Sequence, residues 1–573
     1  MIIEQLGTYP LQRLLLDILT NGANVGAGTT KADILIRARK IYTLQPGEPA
    51  QRSLAIVGQH IFAVSDRQDG LDYLIGPDTR VIDETNSTVL PAFDDTHTHL
   101  MLAAQMHVDV PVHEAKNLGE VLDLIRRRVA KTEPGEWVFT TTNWQEFNLP
   151  EKRLPTIQEL DEISTAHPIV VRRGGHNMMV NSCALAAANI TKDTVPPPGG
   201  EIEKDASGGM TGLIQDSAVA LIYKLQAPVD TETRIHGLDV ASTSYASTGI
   251  GCVRDCWVAI EDVPILTAAY AAGKLQTRFK GLVSAIGLSS VHEVGKLLDQ
   301  MEEHRHLQNH PYLSIWGLKF MLDGGIESSA MEEPYGREED CGCGSLNDYR
   351  GRLLWDADTM VAALDLVVRR GWRVGTHAFG DRAVRILLDV YEEIVKRHPN
   401  MPPGTLVIEH GGLASTEQRA RAAALKIAVT VQFPLLHDIA GISELYYGRN
   451  RVSQFFPVRQ WLDSGVLTTA GSDFPVGSYG AMHSLEGLTT RKTVIGVLRE
   501  EHAITLPEAI SLHTTEAAKF LGESHLRGML TPGRFADVTI WRKDPFDMES
   551  VSAEQGVHTL YTIIGGQVKY QSL

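Results

Sequence analysis

Apolar positions along the chain fall into two kinds of pattern. Short apolar runs at 33–38, 53–57 and 61–64, separated by Gly-containing or polar turns, predict a small antiparallel sheet. Comparable runs return at 536–541 and 560–566, so both ends of the chain are expected to build one β-domain. Between them, strand-like runs alternate with helical stretches, the pattern of an α/β fold on parallel strands. Strands are expected to begin near Val89, Gly251, Phe279, Ile315, Arg373, Leu406, Ile427 and Leu467, with helices near 290–303, 357–370, 383–397 and 416–425. Eight such units predict a TIM-type (β/α)8 barrel, whose chemistry belongs at the C-terminal ends of the strands.

The expected organisation is an N-terminal helix and linker over 1–30, then a β-sandwich domain from 31–88 plus 524–573. A barrel over 89–523 completes it. Residues 101–240 break the alternation. They hold their own helix near 118–131 and strands near 137–140 and 169–172, and read as an α/β insertion after the first barrel strand, roofing the site.

Composition narrows the function. The chain has 573 residues, 53 Lys and Arg against 70 Asp and Glu, and a net charge of −17, with the acidic residues scattered. That excludes nucleic acid and anionic membrane as main partners and leaves a small molecule. Five cysteines without a disulfide-like framework suggest a reducing compartment. Cys341-Gly-Cys343 and Cys252 with Cys256 lack the usual spacing of thiolate zinc sites. The apolar stretch 11–19 is interrupted by Arg13 and Asp17, so an amphipathic helix fits better than a signal peptide. Cytoplasm is the expected location.

The candidate chemistry begins at Pro91-Ala92-Phe93-Asp94-Asp95-Thr96-His97-Thr98-His99. Residues i and i+2 of a strand share a face, so His97 and His99 can aim both imidazoles at one ion. Later strands each end on, or contain, a further candidate ligand: Lys319 within an apolar run, then His377, His410 and Asp473. An unpaired ammonium in such a run is costly, so Lys319 needs a partner or chemical conversion.

His97-Thr98-His99, Lys319 with Asp323-Gly324, and His377-Ala378-Phe379-Gly380-Asp381-Arg382 together resemble the amidohydrolase superfamily, in particular its YtcJ-like branch with the N-substituted formamide deformylases. Glu409-His410, Gly471-Ser472-Asp473-Phe474-Pro475, Pro197-Pro198-Gly199-Gly200 and Leu530-Thr531-Pro532-Gly533 extend the resemblance from about residue 33 to the C-terminus. It implies divalent metal, zinc in one or two ions. His97, His99 and Asp473 would hold one ion, His377 and His410 the other, with a carboxylated Lys319 bridging them. It also implies metal-activated hydrolysis of a carbonyl–nitrogen bond in an amide, N-formyl or N-acyl compound, with Asp473 as general base and acid. A homodimer is a further expectation from the resemblance.

Lactone or carbamate hydrolysis, deamination, and non-hydrolytic decarboxylation or isomerisation remain alternatives at the same metal site; a non-catalytic scaffold is another. By the same resemblance His176 would donate a hydrogen bond to the substrate carbonyl, the alternative being a surface-loop histidine. Trp144, Asp323 and Arg382 are candidate substrate contacts, although packing also explains Trp144 and fixing the His377 loop also explains Arg382. Two stretches depart from the branch: Gly324-Gly325-Ile326-Glu327-Ser328-Ser329 after Lys319, and Asp94-Asp95-Thr96 before the first histidines.

Overall fold

The computed structural model describes residues 30–174, 177–197, 200–225, 229–336, 348–547, 551 and 558–572. The N-terminal helix expected over 1–30, His176, Cys341 and Cys343 lie outside the described residues. The chain opens with β1 (Ile34–Ile41), β2 (Gln51–Val57), β3 (His60–Ser65) and β4 (Arg80–Pro91), followed directly by β5 (Phe93–Thr98). An insertion carries β6 (Val138–Phe139), β7 (Ile169–Arg173), β8 (Asn177–Val180), β9 (Gly200–Lys204) and β10 (Met210–Asp216). Then come β11 (Ile250–Val258), β12 (Arg278–Ser284), β13 (Leu313–Met321), β14 (Arg373–Ala378), β15 (Leu406–His410), β16 (Ala428–Val431) and β17 (Thr468–Ala470). A short hairpin, β18 (Lys492–Thr493) and β19 (Gly496–Val497), precedes β20 (Val538–Trp541), β21 (Thr559–Ile564) and β22 (Gln567–Gln571).

Strands β5 and β11 to β17 form an eight-stranded parallel sheet in chain order, the barrel. Its strands are almost wholly buried, as expected when side chains fill the inside and helices cover the outside. The helix Ala357–Arg369 shows how the cover is specified. Met360, Ala363, Leu364 and Val367 make one apolar stripe, and the Asp356 carboxylate accepts the Thr359 N–H at 3.0 Å as an N-cap.

The first and last strands meet through side chains as well as backbone. Thr96 Oγ1 lies 3.0 Å from Thr430 Oγ1 and within hydrogen-bond distance, 2.9 Å, of both Thr469 Oγ1 and Ala470 O. Just beyond, Asp473 N–H donates to His97 O at 2.8 Å and His99 N–H to Phe474 O at 2.9 Å. Gly471 is required at this seam, since a Cβ there would lie 2.5 Å from His97 N.

Both chain ends build the second sheet, in the order β22-β21-β20-β4-β1-β2-β3. One boundary differs from the sequence reading. Val89 and Leu90 do not open the barrel; they pair with Ile540 and Thr539 in the end sheet, and the first barrel strand starts at Phe93. The apolar run is continuous in sequence because both strands are buried, one on each side of Ala92.

Ion pairs join the end sheet and the segment before it to the barrel floor. Arg278, the first residue of β12, grips Asp537 with two bonds of 2.7 and 2.8 Å. Arg527 holds Asp94 at 2.6 and 2.7 Å, and Lys280 holds Glu523 at 2.5 Å. The insertion forms its own five-stranded sheet, β6-β7-β8-β10-β9. Among the described residues no helix is long and apolar enough to cross a membrane.

Candidate metal centre

The C-terminal ends of the barrel strands bring the predicted ligands together. His97 and His410 rings lie 4.6 Å apart, His377 and His410 rings 4.5 Å, and His97 and His99 rings 5.6 Å, the last edge to face. His99 Nε2 is 2.9 Å from Asp473 Oδ1, and His97 Nε2 is 3.4 Å from the same oxygen. His97, His410 and Asp473 each offer a ligand atom within 4.8 Å of the others. Lys319, buried on β13 with Gly375 of β14 as its partner, is close enough for its charge to act on His97, His377, Glu409 and His410.

Two observations test whether these residues suit a divalent ion. His97 Nε2 and His99 Nδ1 are buried without a hydrogen-bond partner, an arrangement that costs free energy unless something else occupies them. The second is protonation. Burial and then the Lys319 ammonium push His377 down to about 3, and burial with the neighbouring imidazoles holds His410 far below the ordinary range. Both rings are therefore neutral, the form that binds metal. Asp473 is held well below the usual carboxylate range: burial works against ionisation, but the neighbouring His97 and His99 imidazoles outweigh it. The donor set fits.

His410 and Asp473 share a further property. Both are non-glycine residues at positive φ, 76° and 60°, a conformation costing about 1–3 kcal/mol that persists where surrounding structure imposes it. At the ends of β15 and just past β17 it turns each side chain inwards.

A layer of polar groups behind the ligands was not assigned from sequence. His97 Nδ1–H donates to Glu409 Oε2 at 2.6 Å, and Arg254 grips the same carboxylate at 2.6 and 3.2 Å. His410 Nδ1–H donates to Gln432 Oε1 at 2.7 Å. These bonds set the tautomer and leave Nε2 of each ring for an ion. His97 can also be grouped with Cys256 and Glu409, but Glu409 is already committed to Arg254 and His97 Nδ1. The departures before the first histidines have structural work too: Asp94 pairs with Arg527, and Asp95 accepts from Ser472 N and Oγ at 3.0 and 2.6 Å.

Asp323, a candidate substrate contact, is fully buried, and its oxygens accept the N–H groups of Ala330, Phe379 and Gly380 at 2.9–3.0 Å. It holds the loop after His377. Arg382 donates to Arg350 O at 3.4 Å. Trp144 Nε1 donates to Arg172 O at 2.6 Å, and its ring lines a cavity of about 340 Å³ facing Phe474 and Tyr479. Trp257, 44 % exposed near the C-terminal end of β11, stands with its ring 6.2 Å from His99. A larger cavity of about 760 Å³, lined by Arg419, Arg449, Arg451 and Arg499, contains none of the six candidate ligands.

The amidohydrolase family profile matches residues 80–570, which includes every one of these side chains. The chain belongs to the amidohydrolase family. As a member it is a hydrolase. It is 28 % identical over 556 residues to the N-substituted formamide deformylase of Arthrobacter pascens, covering 95 % of this chain and 99 % of that one. It is 26 % identical to the YtcJ protein of Bacillus subtilis, covering 86 % and 91 %. Among solved structures, an uncharacterized metal-dependent hydrolase from Pyrococcus furiosus aligns with a TM-score of 0.69 at 22 % identity, over 90 % of this chain and all of that one. At that identity the likeness concerns the fold.

Proposed function

We propose that this amidohydrolase cleaves a carbonyl–nitrogen bond in a small amide, N-formyl or N-acyl compound. His97, His99, His377, His410, Asp473 and a carboxylated Lys319 would hold one or two zinc ions. When bound, the metal would supply Lewis acidity towards the scissile carbonyl and make a water molecule acidic near neutral pH. Carboxylation would convert the buried Lys319 ammonium into an anion among cations, which suits its burial among four groups that feel its charge.

The chain's own residues then divide the work. Asp473, ionised and fixed by His99, accepts the proton of the attacking water and delivers it to the leaving nitrogen. Glu409 and Gln432 keep His97 and His410 in the orientation and tautomer the site needs. Trp257 and Trp144 provide apolar walls for the substrate's carbon skeleton, and His176 is a donor to its carbonyl. The formamide deformylase of Arthrobacter pascens, matched over nearly the whole of both chains, supports the N-formyl class.

The observation carrying this reading is the convergence of His97, His410 and Asp473, with His97 Nε2 buried and unpartnered among them. The test is a screen of N-formyl, N-acetyl and aryl-amide compounds with zinc present, followed by Asp473→Asn. Turnover should fall about 10²–10⁴-fold at equal metal content. Unchanged turnover with metal retained removes Asp473 as the base.

A further inference from the structure

A second cluster of metal-binding groups lies outside the barrel ligands. The helix Phe433–Tyr447 carries His437 and Asp438, and the helix Ala481–Thr490 carries His483 and, one turn on, Glu486. The His437 and His483 rings meet edge to face with centroids 4.6 Å apart. His437 Nδ1 is 2.7 Å from Asp438 Oδ1. One ligand atom from each of His437, Asp438 and His483 lies within 4.8 Å of the other two. His483 Nε2 is buried with no hydrogen-bond partner.

The geometry points to a divalent cation site of the zinc class at His437, Asp438 and His483, distinct from the barrel centre. Two imidazoles and a carboxylate are a borderline-soft donor set that suits zinc, and three protein ligands leave one position for water or for Glu486. An ion there satisfies the orphaned His483 nitrogen and balances the Asp438 and Glu486 charges, both of which act on His483. Asp438 is already oriented for the task, because its other oxygen, Oδ2, accepts Ser478 N–H at 2.7 Å and Ser478 Oγ–H at 2.6 Å. Such a second layer of hydrogen bonds is what aims ligating carboxylates in metal sites.

The location gives the ion a purpose. Ser478 belongs to the segment that follows Asp473, and Phe474 to Tyr479 form one wall of the cavity that Trp144 lines from the insertion. A cation joining the two helices braces that wall through Asp438 and Ser478. It is a positioning site, and Asp438 itself lines the cavity it braces.

The test uses the full chain, freed of metal with a chelator and then equilibrated with zinc alone. Crystals of the parent protein should show an anomalous zinc peak bounded by His437, Asp438 and His483, in addition to any peak among the barrel histidines. Zinc per chain, counted by mass spectrometry after dialysis, should fall by about one equivalent in H437A/H483A. A parent crystal at saturating zinc with no peak between His437 and His483 overturns the proposal, whether or not the variant folds. A folded variant that retains the parent's zinc content overturns it as well.

Discussion

Single side chains decide whether the barrel mouth can hold an ion. Glu409 is the sharpest case, because it faces two ways at once, towards His97 Nδ1 and towards the fully buried Arg254 guanidinium. Glu409→Gln keeps the shape and removes the charge. It should weaken zinc binding about 10–100-fold and lower stability by about 3–5 kcal/mol, since Arg254 is left buried without a counter-charge. Zinc titration and urea unfolding of the same preparation separate the two effects. The candidate ligands stand out in the sequence, because each is announced locally by a polar residue that ends or interrupts an apolar run. Glu409's role was not readable, nor were those of Arg254, Gln432 and Trp257. Their partners lie on other strands, and nothing in the order of residues says which side chains meet across a barrel. The backbone bonds of Asp323 were hidden for a related reason: its partners, Ala330, Phe379 and Gly380, lie in loops whose approach the order of residues does not show.

Elements carry a different kind of information. Helices such as Ala357–Arg369 were legible as helical stretches between strand-like runs, and the parallel strands from their apolar runs. The division between β4 and β5 was not, because burial on both sides of Ala92 erases the polar signal that marks most strand ends. The seam between β5 and β17 likewise depends on a residue whose hydroxyl is inconspicuous in sequence. Thr96 serves Thr430, Thr469 and Ala470 from a fully buried position. Thr96→Val preserves volume but strands those partners, and should cost about 1–3 kcal/mol. The midpoint of urea unfolding measures that loss. Because Asp473 is positioned from the same seam through His97 O, the variant should also turn over more slowly at saturating zinc.

Over the whole molecule, buried titratable groups set opposing pH dependences. His513 lies in the core between Asp94 O, which accepts its Nδ1–H at 2.8 Å, and the Ser484 hydroxyl at Nε2. Burial pushes it down to about 4 from an ordinary 6.5. Between those values the unfolded chain binds the additional proton, so the contribution of His513 to stability is complete above 6.5 and is lost as pH falls towards 4. Asp95 and Asp323, raised by burial to about 7, act in the other direction, favouring the folded state at low pH and losing that contribution as pH rises towards 7. His513→Asn isolates the first effect. The stability difference between parent and variant should shrink as pH falls from 6.5 to 4, by up to about 1.4 kcal/mol per pH unit. Denaturant titrations at several pH values across that window check it, and a constant difference would remove His513 as a sensor.

The placing of β4 between β1 and β20 has a consequence for synthesis on the ribosome. β4 and its neighbour β1 emerge early, yet the partner for the other edge of β4 is translated only after the entire barrel. Throughout that interval the nascent protein presents an open, apolar edge of the kind that recruits chaperones or pairs with a stranger. Premature termination anywhere before Val538 would leave that edge permanently bare, so truncated products should be cleared or aggregate even when their catalytic half is intact.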